Sequence, residues 1–323
     1  MQLSFLAGSP PLLDDRFPLP WDRPFTTQQA IRAGITPHAL TRLVRDGYLT
    51  RPLKGVYLAA QVELTREMRG RVISLVAPPG SVVTDWSATW YWTGVDHPST
   101  KLGPGPLSVF RFRGHDRLRN ELVVSGQRWL RPSDVVPVAA HLSVTTPLRT
   151  AWDLGRFSRR LIAIGGMDAL ARHGTFSVND LVAGVERFRK QRGVVQLRDL
   201  APRVDPQAES PGESALRLRW TDVAGLPSPE PQIPVLDAFG RQIFRIDLGV
   251  AVLRFGAEYD GEAYHSSDED RAHDDWRRTE LDEVHDWSIE VFRRADVFGQ
   301  HETVTQRLPP ALRAARRRIA KKS

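Results

Sequence analysis

The chain has 323 residues, of which 41% are hydrophobic and 26% charged, a composition typical of a folded protein with two or three domains. It contains no cysteine, which excludes disulfides, thiolate metal sites and cysteine nucleophiles and fits the cytoplasm, the expected location. The formal net charge is +7, and the excess of basic residues lies in the first two thirds of the chain. This excess predicts a polyanionic partner, first of all nucleic acid, although a genomic preference for arginine would also produce it. No stretch approaches 18 apolar residues, so neither a membrane span nor a membrane partner is expected.

The first 60 residues predict an arm followed by a compact unit. Residues 1–24 are rich in proline, have no hydrophobic period and are expected to form an N-terminal arm. Within 25–60, Thr26 or Thr27 can cap a first helix that ends at Gly34. Thr36 can cap a second helix with Pro37 at its first position. Two short strands joined by a tight turn follow, which is the order of a winged helix-turn-helix.

Basic and polar side chains cover the predicted outer face of the second helix and the hairpin. A helix of this type reads the major groove, where arginine pairs with guanine and phosphate, so DNA is the expected ligand. The plainer alternative is a solvated face or a protein-binding winged helix. The phrase AGIT, then GYL and GVY, resembles the N-terminal domain of AbiEi-type antitoxins, which are winged-helix repressors. The candidate DNA-binding residues are His38, Thr41, Arg42, Arg45, Arg51 and Lys54.

Residues 61–200 predict a mixed α/β and helical middle region. The runs 82–95 and 107–114 are rich in β-branched and aromatic residues and predict strands, with a Gly-Pro-Gly-Pro break at 103–106. In the phrase TTPLRTAWDL, Thr146 is expected to cap a helix that starts with proline. Segment 201–213 is polar and proline-rich and predicts a linker that overlaps the start of the last domain.

The last domain, 207–323, reads as helix, strand, strand, helix, strand, helix and ends in a basic tail. Asp247 lies in an apolar strand, and Glu258 and Asp260 lie in the next strand, so an antiparallel hairpin would bring these carboxylates together. Glu213 lies on the helix just before the hairpin. Clustered buried carboxylates repel one another unless a cation compensates them, and hard oxygen ligands suit Mg²⁺ or Mn²⁺. The acids therefore predict a divalent metal site.

The spacing of these acids resembles the PD-(D/E)XK restriction-endonuclease-like superfamily, whose core is an α/β/α layer structure. The longer phrase EYDGxxYH resembles its very-short-patch-repair-endonuclease-like branch, found in actinobacterial proteins of unknown function. The resemblance implies that Asp247 is the central metal ligand, Glu258 the second acid and Glu213 the helix-borne acid. Asp260 falls where the superfamily has its lysine, and the predicted metal ligands are Glu213, Asp247, Glu258 and Asp260.

His265 or Arg277 can replace that lysine as a proton shuttle or as a cation for the transition state. The predicted catalytic set is therefore Asp247, Glu258, His265 and Arg277. Plainer alternatives exist for the metal ligand Asp260 and for the catalytic residues His265 and Arg277. Asp260 with its following glycine can be a turn, His265 a surface histidine and Arg277 an ion-pair partner of nearby acids.

The resulting fold class is multidomain α/β, with a winged helix, a mixed middle region and a nuclease-like last domain. The leading hypothesis is metal-dependent hydrolysis of DNA phosphodiesters, directed by the winged helix. The alternative is an antitoxin-like transcriptional regulator whose nuclease fold is inactive, and an RNA nuclease is a third option. DNA is the expected partner, with a cognate toxin or a methyltransferase as the expected protein partner in the regulatory or restriction context.

Overall fold

The computed structural model describes residues 11–98, 105–111, 121–126, 128–139, 141–237, 239–261, 276 and 279–322. The chain forms two compact units, Met1–Leu154 and Gly155–Ser323, and each is described by itself.

The first unit begins with a small three-stranded sheet and two helices. Its elements are β1 (Phe25–Thr26), α1 (Thr27–Arg32), α2 (Pro37–Arg45), β2 (Leu49–Leu53) and β3 (Val56–Ala59). The sheet order is β1-β3-β2, and both pairings are antiparallel. The two helices followed by the β2–β3 hairpin are the winged-helix order that the sequence predicts.

The described part of the predicted arm packs onto this small domain. Leu13 and Phe17 are buried in the same cluster as Phe25 and Leu40. The backbone N–H of Leu13 donates to Gln61 Oε1 over 2.6 Å, and Gln61 Nε2 donates back to the carbonyl of Leu13 over 2.9 Å. Residues 11–24 therefore extend the core of the winged helix.

A five-stranded mixed sheet fills the rest of the first unit, in the order β6-β5-β4-β8-β7. Its strands β4 and β8 are parallel, as are β5 and β6, whereas β4–β5 and β7–β8 are antiparallel. The elements of this region are α3 (Arg66–Ser74), β4 (Ser81–Val83), α4 (Asp85–Thr93), β5 (Leu107–Arg111), β6 (Val123–Gly126), β7 (Val135–Ala139), β8 (Leu142–Thr145) and α5 (Pro147–Phe157).

Helix α4 corrects the prediction of a strand over 82–95, of which only the first residues belong to β4. Its side chains are buried nearly all round, Trp86, Thr89 and Tyr91 among them, so the helix shows no amphipathic period. Gly94 ends it in the left-handed conformation, with φ of 76°. The aromatic and threonine content of this segment favours a strand, but the segment forms a helix that is buried on nearly all sides.

Within the phrase TTPLRTAWDL, the structure shows a buried ionic network. Thr146 Oγ1 accepts from the backbone N–H of Arg149 over 3.2 Å, which confirms the predicted cap. Arg149 is 2% exposed, and its guanidinium donates to Asp153 over 2.9 Å and to Asp134 over 2.7 Å. Removing either partner would leave a buried charge uncompensated, so this phrase has a structural role.

The second unit opens with a helical layer made of α6 (Arg160–Arg172), α7 (Val178–Ala183) and α8 (Val194–Leu200). Segment 201–213, predicted as a linker, lies within this unit, and its residues Ala201, Val204 and Ala208 are buried. Because apolar burial ties it to its surroundings, it differs from the polar, exposed linker that its composition indicates.

A four-stranded sheet of order β12-β11-β10-β9 forms the rest of the second unit. Strand β10 pairs antiparallel with both β9 and β11, whereas β11 and β12 are parallel. Apolar side chains from α9 and α11 pack on this sheet in one core cluster. The elements are α9 (Pro211–Asp222), β9 (Glu230–Leu236), β10 (Gln242–Val250), β11 (Phe255–Asp260), β12 (Ser288–Arg293), α10 (Arg294–Phe298) and α11 (Val304–Lys322).

Strand β9 is absent from the predicted element order, because Pro231 and Pro234 lie within it. Proline cannot donate to a sheet ladder, so it argues against a central strand. The strand lies at the edge of the sheet, where proline is tolerated, and it pairs with β10 over most of its length. The hairpin of β10 and β11, in contrast, was predicted and is confirmed.

Candidate functional site

The second helix of the winged helix is built as its sequence predicts. Thr36 Oγ1 accepts from the backbone N–H of Ala39 over 3.2 Å, and Pro37 occupies the first turn. Leu40 and Leu43 are buried at 0% and 1% exposure, which fixes the face that α2 turns to the core. The opposite face of α2 is thereby presented to solvent.

The predicted DNA-binding residues on α2 differ in their exposure and in their contacts. His38, Thr41 and Arg45 are exposed on α2, and Arg42 is half-buried. Thr41 donates to the carbonyl of Pro37 over 3.1 Å, and Arg45 forms an exposed ion pair with Asp46 over 2.9 Å. Such exposed pairs are weak and exchange readily for a phosphate.

On the hairpin, Arg51 is exposed on β2, with its guanidinium carbon 5.9 Å from the centre of the Tyr57 ring. Lys54 lies at the turn and is 3.5 Å from Glu121. Helix α2 packs against β2, and we call the basic residues of this helix and its hairpin the candidate DNA-binding surface of the first unit.

In the second unit, three neighbouring strands each carry a polar residue next to a regular backbone pair. Asp247 lies on β10 between Ile246 and Leu248, which pair with Ile233 and Pro231 on either side of Gln232 on β9. The ladder of β10 and β11 ends at the pair Leu248–Ala257, and Asp247 and Glu258 are the next residues beyond this pair. We call Glu213, Gln232, Asp247 and Glu258 the acidic site.

Hydrogen bonds orient the acids of this site. The backbone N–H of Tyr259 donates to Asp247 Oδ2 over 3.0 Å, so the carboxylate occupies a position next to the end of the ladder. Glu213, in the first turn of α9, accepts at Oε2 from the backbone N–H of Glu209 and from Gln232 Nε2, both over 2.9 Å. Glu213 and Glu258 are each 9% exposed. Glu213 therefore also stabilises the N-terminus of its helix.

The remaining predicted site residues have no described hydrogen bond to Glu213, Gln232, Asp247 or Glu258. Asp260, at the position where the nuclease superfamily has lysine, lies 3.5 Å from Arg293 across the parallel pair of β11 and β12. His265 and Arg277 lie outside the described residues.

Gln232 was missed by sequence reasoning. It has a left-handed backbone, with φ of 53°, and its Oε1 is buried without a hydrogen-bond partner among the described residues. A single glutamine between prolines carries no signal in the sequence, and only the pairing of β9 with β10 brings it into the part of the sheet that holds Asp247.

The acidic site contains oxygen donors of the type that hard cations prefer. In the described part of the chain, no three histidine, aspartate or glutamate side chains converge to hold a metal ion by themselves. The buried, unpartnered amide oxygen of Gln232 adds a neutral oxygen donor next to Glu213, which is the chemistry that Mg²⁺ and Mn²⁺ prefer.

Comparisons with known proteins bear on both units. The chain is 32% identical over 289 residues to the uncharacterized proteins MT2308 and Rv2248, from two strains of Mycobacterium tuberculosis. The alignment covers 87% of this chain and 99% of each relative. The chain belongs to their family.

Residues 22–60 of this chain also match a family model described as "Transcriptional regulator, AbiEi antitoxin". These residues contain α1, α2 and the hairpin. The crystal structure of the Rv2827c protein of Mycobacterium tuberculosis shares 17% identity, with 56% of this chain and 73% of that one covered. Its TM-score is 0.27. No helix formed by the described residues is long and apolar enough to cross a membrane.

Proposed function

We propose that this protein binds duplex DNA through α2 and the β2–β3 hairpin and acts as an antitoxin-like transcriptional regulator. The observation that carries the proposal is the basic, solvent-facing side of a correctly capped α2, in residues that match an antitoxin regulator model. Arginines on such a face contact phosphates and guanine edges in the major groove. A cognate toxin is the protein partner that this proposal implies.

The test is a salt titration of DNA binding by the full chain. If about four phosphates are neutralised, the log–log slope against salt is about −3.6, or roughly 100-fold weaker binding between 50 and 200 mM. The double variant Arg42→Gln with Arg45→Gln should weaken binding and flatten this slope. Arg71→Gln, which removes an exposed arginine from α3, is the matched control. Binding that is insensitive to salt, or equal in both variants, would refute the proposal.

A second candidate function is metal-dependent hydrolysis of nucleic-acid phosphodiesters by the acidic site. It is supported by the position of Gln232, Asp247 and Glu258 on three neighbouring strands and by the hydrogen bond from Gln232 to Glu213. A bound divalent cation supplies Lewis-acid stabilisation of charge at a phosphate. The chain's own contribution is orientation, since the N–H of Tyr259 fixes Asp247 and two donors fix Glu213.

The pairing of Asp260 with Arg293 bears on this candidate, because an acid in an exposed ion pair stands where the nuclease superfamily has its lysine. Purified protein should therefore be incubated with plasmid, single-stranded DNA and RNA, each with Mg²⁺, with Mn²⁺ or with chelator. Cleavage that depends on metal and is lost in Asp247→Ala supports a nuclease. No cleavage of any substrate, together with no rise in melting temperature with either metal, supports a regulator whose nuclease fold is inactive.

A further inference from the structure

The first unit contains a cavity of about 900 Å³ whose walls come from strand β2 of the hairpin and from helix α4. This volume lies within the range of pockets that bind small organic molecules. Leu53 and Val56 of the hairpin are buried in the same core cluster as Val83 and Trp90. Because both walls belong to one hydrophobic core, the cavity is built into the fold of the first unit.

Aromatic rings form one wall of this cavity. Trp86 and Trp90 line it from α4, and they are anchored in the protein at 9% and 6% exposure. The ring of His97 also lines the cavity and meets Trp86 edge-on, with ring centroids 5.0 Å apart. Aromatic side chains contact flat, unsaturated rings favourably through stacked and edge-to-face arrangements. The wall therefore favours a planar ligand.

Two polar groups of the lining residues lack a hydrogen-bond partner among the described residues. The indole N–H of Trp86 is buried and donates to no described atom, which costs free energy. The carboxylate of Asp96 forms no described hydrogen bond or ion pair. Although Asp96 is exposed, the surrounding walls remove part of its water, which raises the pKa of its carboxyl group. A ligand that accepts from the indole and donates to the carboxylate would satisfy both groups.

The charges of the lining select against an anionic ligand. Glu63 and Asp96 contribute two carboxylates, whereas Arg51 contributes a single guanidinium. A phosphate or carboxylate group of a ligand would therefore be repelled more than attracted. A neutral heterocycle with an amino group beside a ring nitrogen combines the required donor and acceptor in one planar edge.

We propose that this cavity is an effector site for amino-substituted heteroaromatic compounds and that its occupation weakens DNA binding. The effect on DNA rests on the proposed function of the first unit. Arg51 lines the cavity and is also part of the candidate DNA-binding surface. A ring in the cavity offers the Arg51 guanidinium an aromatic face, which holds this group away from a phosphate.

The first experiment titrates the full chain with nucleosides by calorimetry. Adenosine and cytidine each carry an amino group beside an accepting ring nitrogen. Inosine and uridine are their matched controls, because a carbonyl and a ring N–H reverse that pattern. Adenosine or cytidine should bind at least about tenfold more tightly than its control, as expected for a hydrogen bond to a charged group. Equal binding within each pair, or no binding of any nucleoside, would overturn the proposal.

Variants locate the nucleoside in the cavity. Asp96→Ala removes the accepting carboxylate and should weaken binding by about tenfold or more. Trp86→Phe keeps an aromatic ring and removes the N–H, so it should weaken binding by about two- to tenfold. The matched control is Glu67→Ala, an exposed acid on α3 that does not line the cavity. Nucleoside affinity that is unchanged in Asp96→Ala and Trp86→Phe would place the site elsewhere and overturn the proposal.

The double variant Arg42→Gln with Arg45→Gln separates the cavity from the candidate DNA-binding surface, because neither arginine lines the cavity. Nucleoside binding that is lost in this variant would place the site on that surface and overturn the proposal. In the natural protein, saturating adenosine or cytidine should lower the affinity for duplex DNA by about fivefold or more. DNA should lower nucleoside affinity by the same factor.

Failure of this inference differs from failure of the proposed function. If the natural protein binds no DNA, the proposed function is wrong, and calorimetry still decides whether the cavity binds a nucleoside. If DNA binds and neither adenosine nor cytidine does, the effector site alone is wrong. If both bind and a saturating nucleoside changes DNA affinity by less than twofold, the coupling through Arg51 is overturned.

Discussion

Arg217 on α9 donates a hydrogen bond from Nη2 to Asp168 on α6 over 2.8 Å, and Asp168 is fully buried. The backbone N–H of Asp205 donates to the other oxygen of Asp168 over 2.9 Å. Even so, burial raises the pKa of Asp168 to about 6, because the cost of removing the carboxylate from water exceeds the stabilisation by these partners. Helices α6 and α9 are thus joined through an acid that titrates in a mildly acidic range.

A pH dependence of stability follows. In the unfolded chain Asp168 loses its proton near pH 4, whereas in the folded chain it keeps the proton until about pH 6. Between these values the folded state binds more protons, so the free energy of unfolding should decrease as pH rises, by up to about 3 kcal/mol. The measurement is the urea midpoint at several pH values between 4 and 6. Asp168→Asn should abolish this slope, and a slope that persists in Asp168→Asn would assign it to other groups.

The Arg45–Asp46 ion pair predicts a variant that binds DNA more tightly. Asp46 lies beside the candidate DNA-binding surface and repels phosphates while it neutralises Arg45. At low salt, Asp46→Asn should strengthen DNA binding by about two- to fivefold, since one like charge near the duplex is removed. Arg45→Glu should weaken it by at least about tenfold. Fluorescence anisotropy at 50 mM salt measures the affinity of both variants. If both bind DNA as tightly as the natural protein, Arg45 does not contact the DNA.

Gly212 predicts a steric effect at the start of α9. A Cβ at this position would lie 2.0 Å from Cε1 of Tyr259, so the ring of β11 packs directly on the helix backbone. Gly212→Ala should therefore destabilise the protein by about 1–3 kcal/mol and displace the adjacent Glu213. The matched control is Gly70→Ala on α3, where the nearest atom is 3.5 Å away and the better helix propensity of alanine should make the change neutral or stabilising.

Tyr259→Ala tests the cause of that effect. If the ring is what the new methyl group meets, combining Gly212→Ala with Tyr259→Ala should cost less than the sum of the two single changes. Additive losses, measured by urea unfolding, would show that Gly212 is needed for a reason other than the Tyr259 ring.

The parts of the fold that sequence predicts well are those with local chemical signals. Threonine caps, a proline in the first helical turn and the Leu40–Leu43 spacing define α2, and the structure confirms each of them. The hairpin that carries Asp247 and Glu258 also follows from its apolar run and its turn.

The parts that sequence does not predict depend on position in the tertiary structure. Helix α4 is buried on nearly all sides, so it has no period, and β9 contains prolines that only an edge position tolerates. Gln232 becomes part of the acidic site through the register of β9 on β10, and Asp168 acquires its partner from a helix 49 residues away along the chain. Long-range register and burial carry no local sequence signal.

Helix α11 provides the last prediction. Its core face carries the buried residues Val304, Leu308 and Leu312. The outer face of its C-terminal half presents exposed basic side chains that have no carboxylate partner among the described residues. They are Arg313, Arg316, Arg317 and Lys321.

Basic residues three to four positions apart lie along one side of a helix at intervals of roughly 5–6 Å, a spacing suited to successive backbone phosphates. If this face contacts DNA, replacing Arg313, Arg316 and Arg317 together with glutamine should make the salt slope of binding shallower by about 2–3. The control replaces three exposed basic residues elsewhere in the second unit, Arg189, Lys190 and Arg192, and has the same net charge. A slope changed only in the α11 variant assigns the contact to this helix. Equal changes in both variants would reveal a general effect of net charge, and no change in either would leave α11 as a solvated helix.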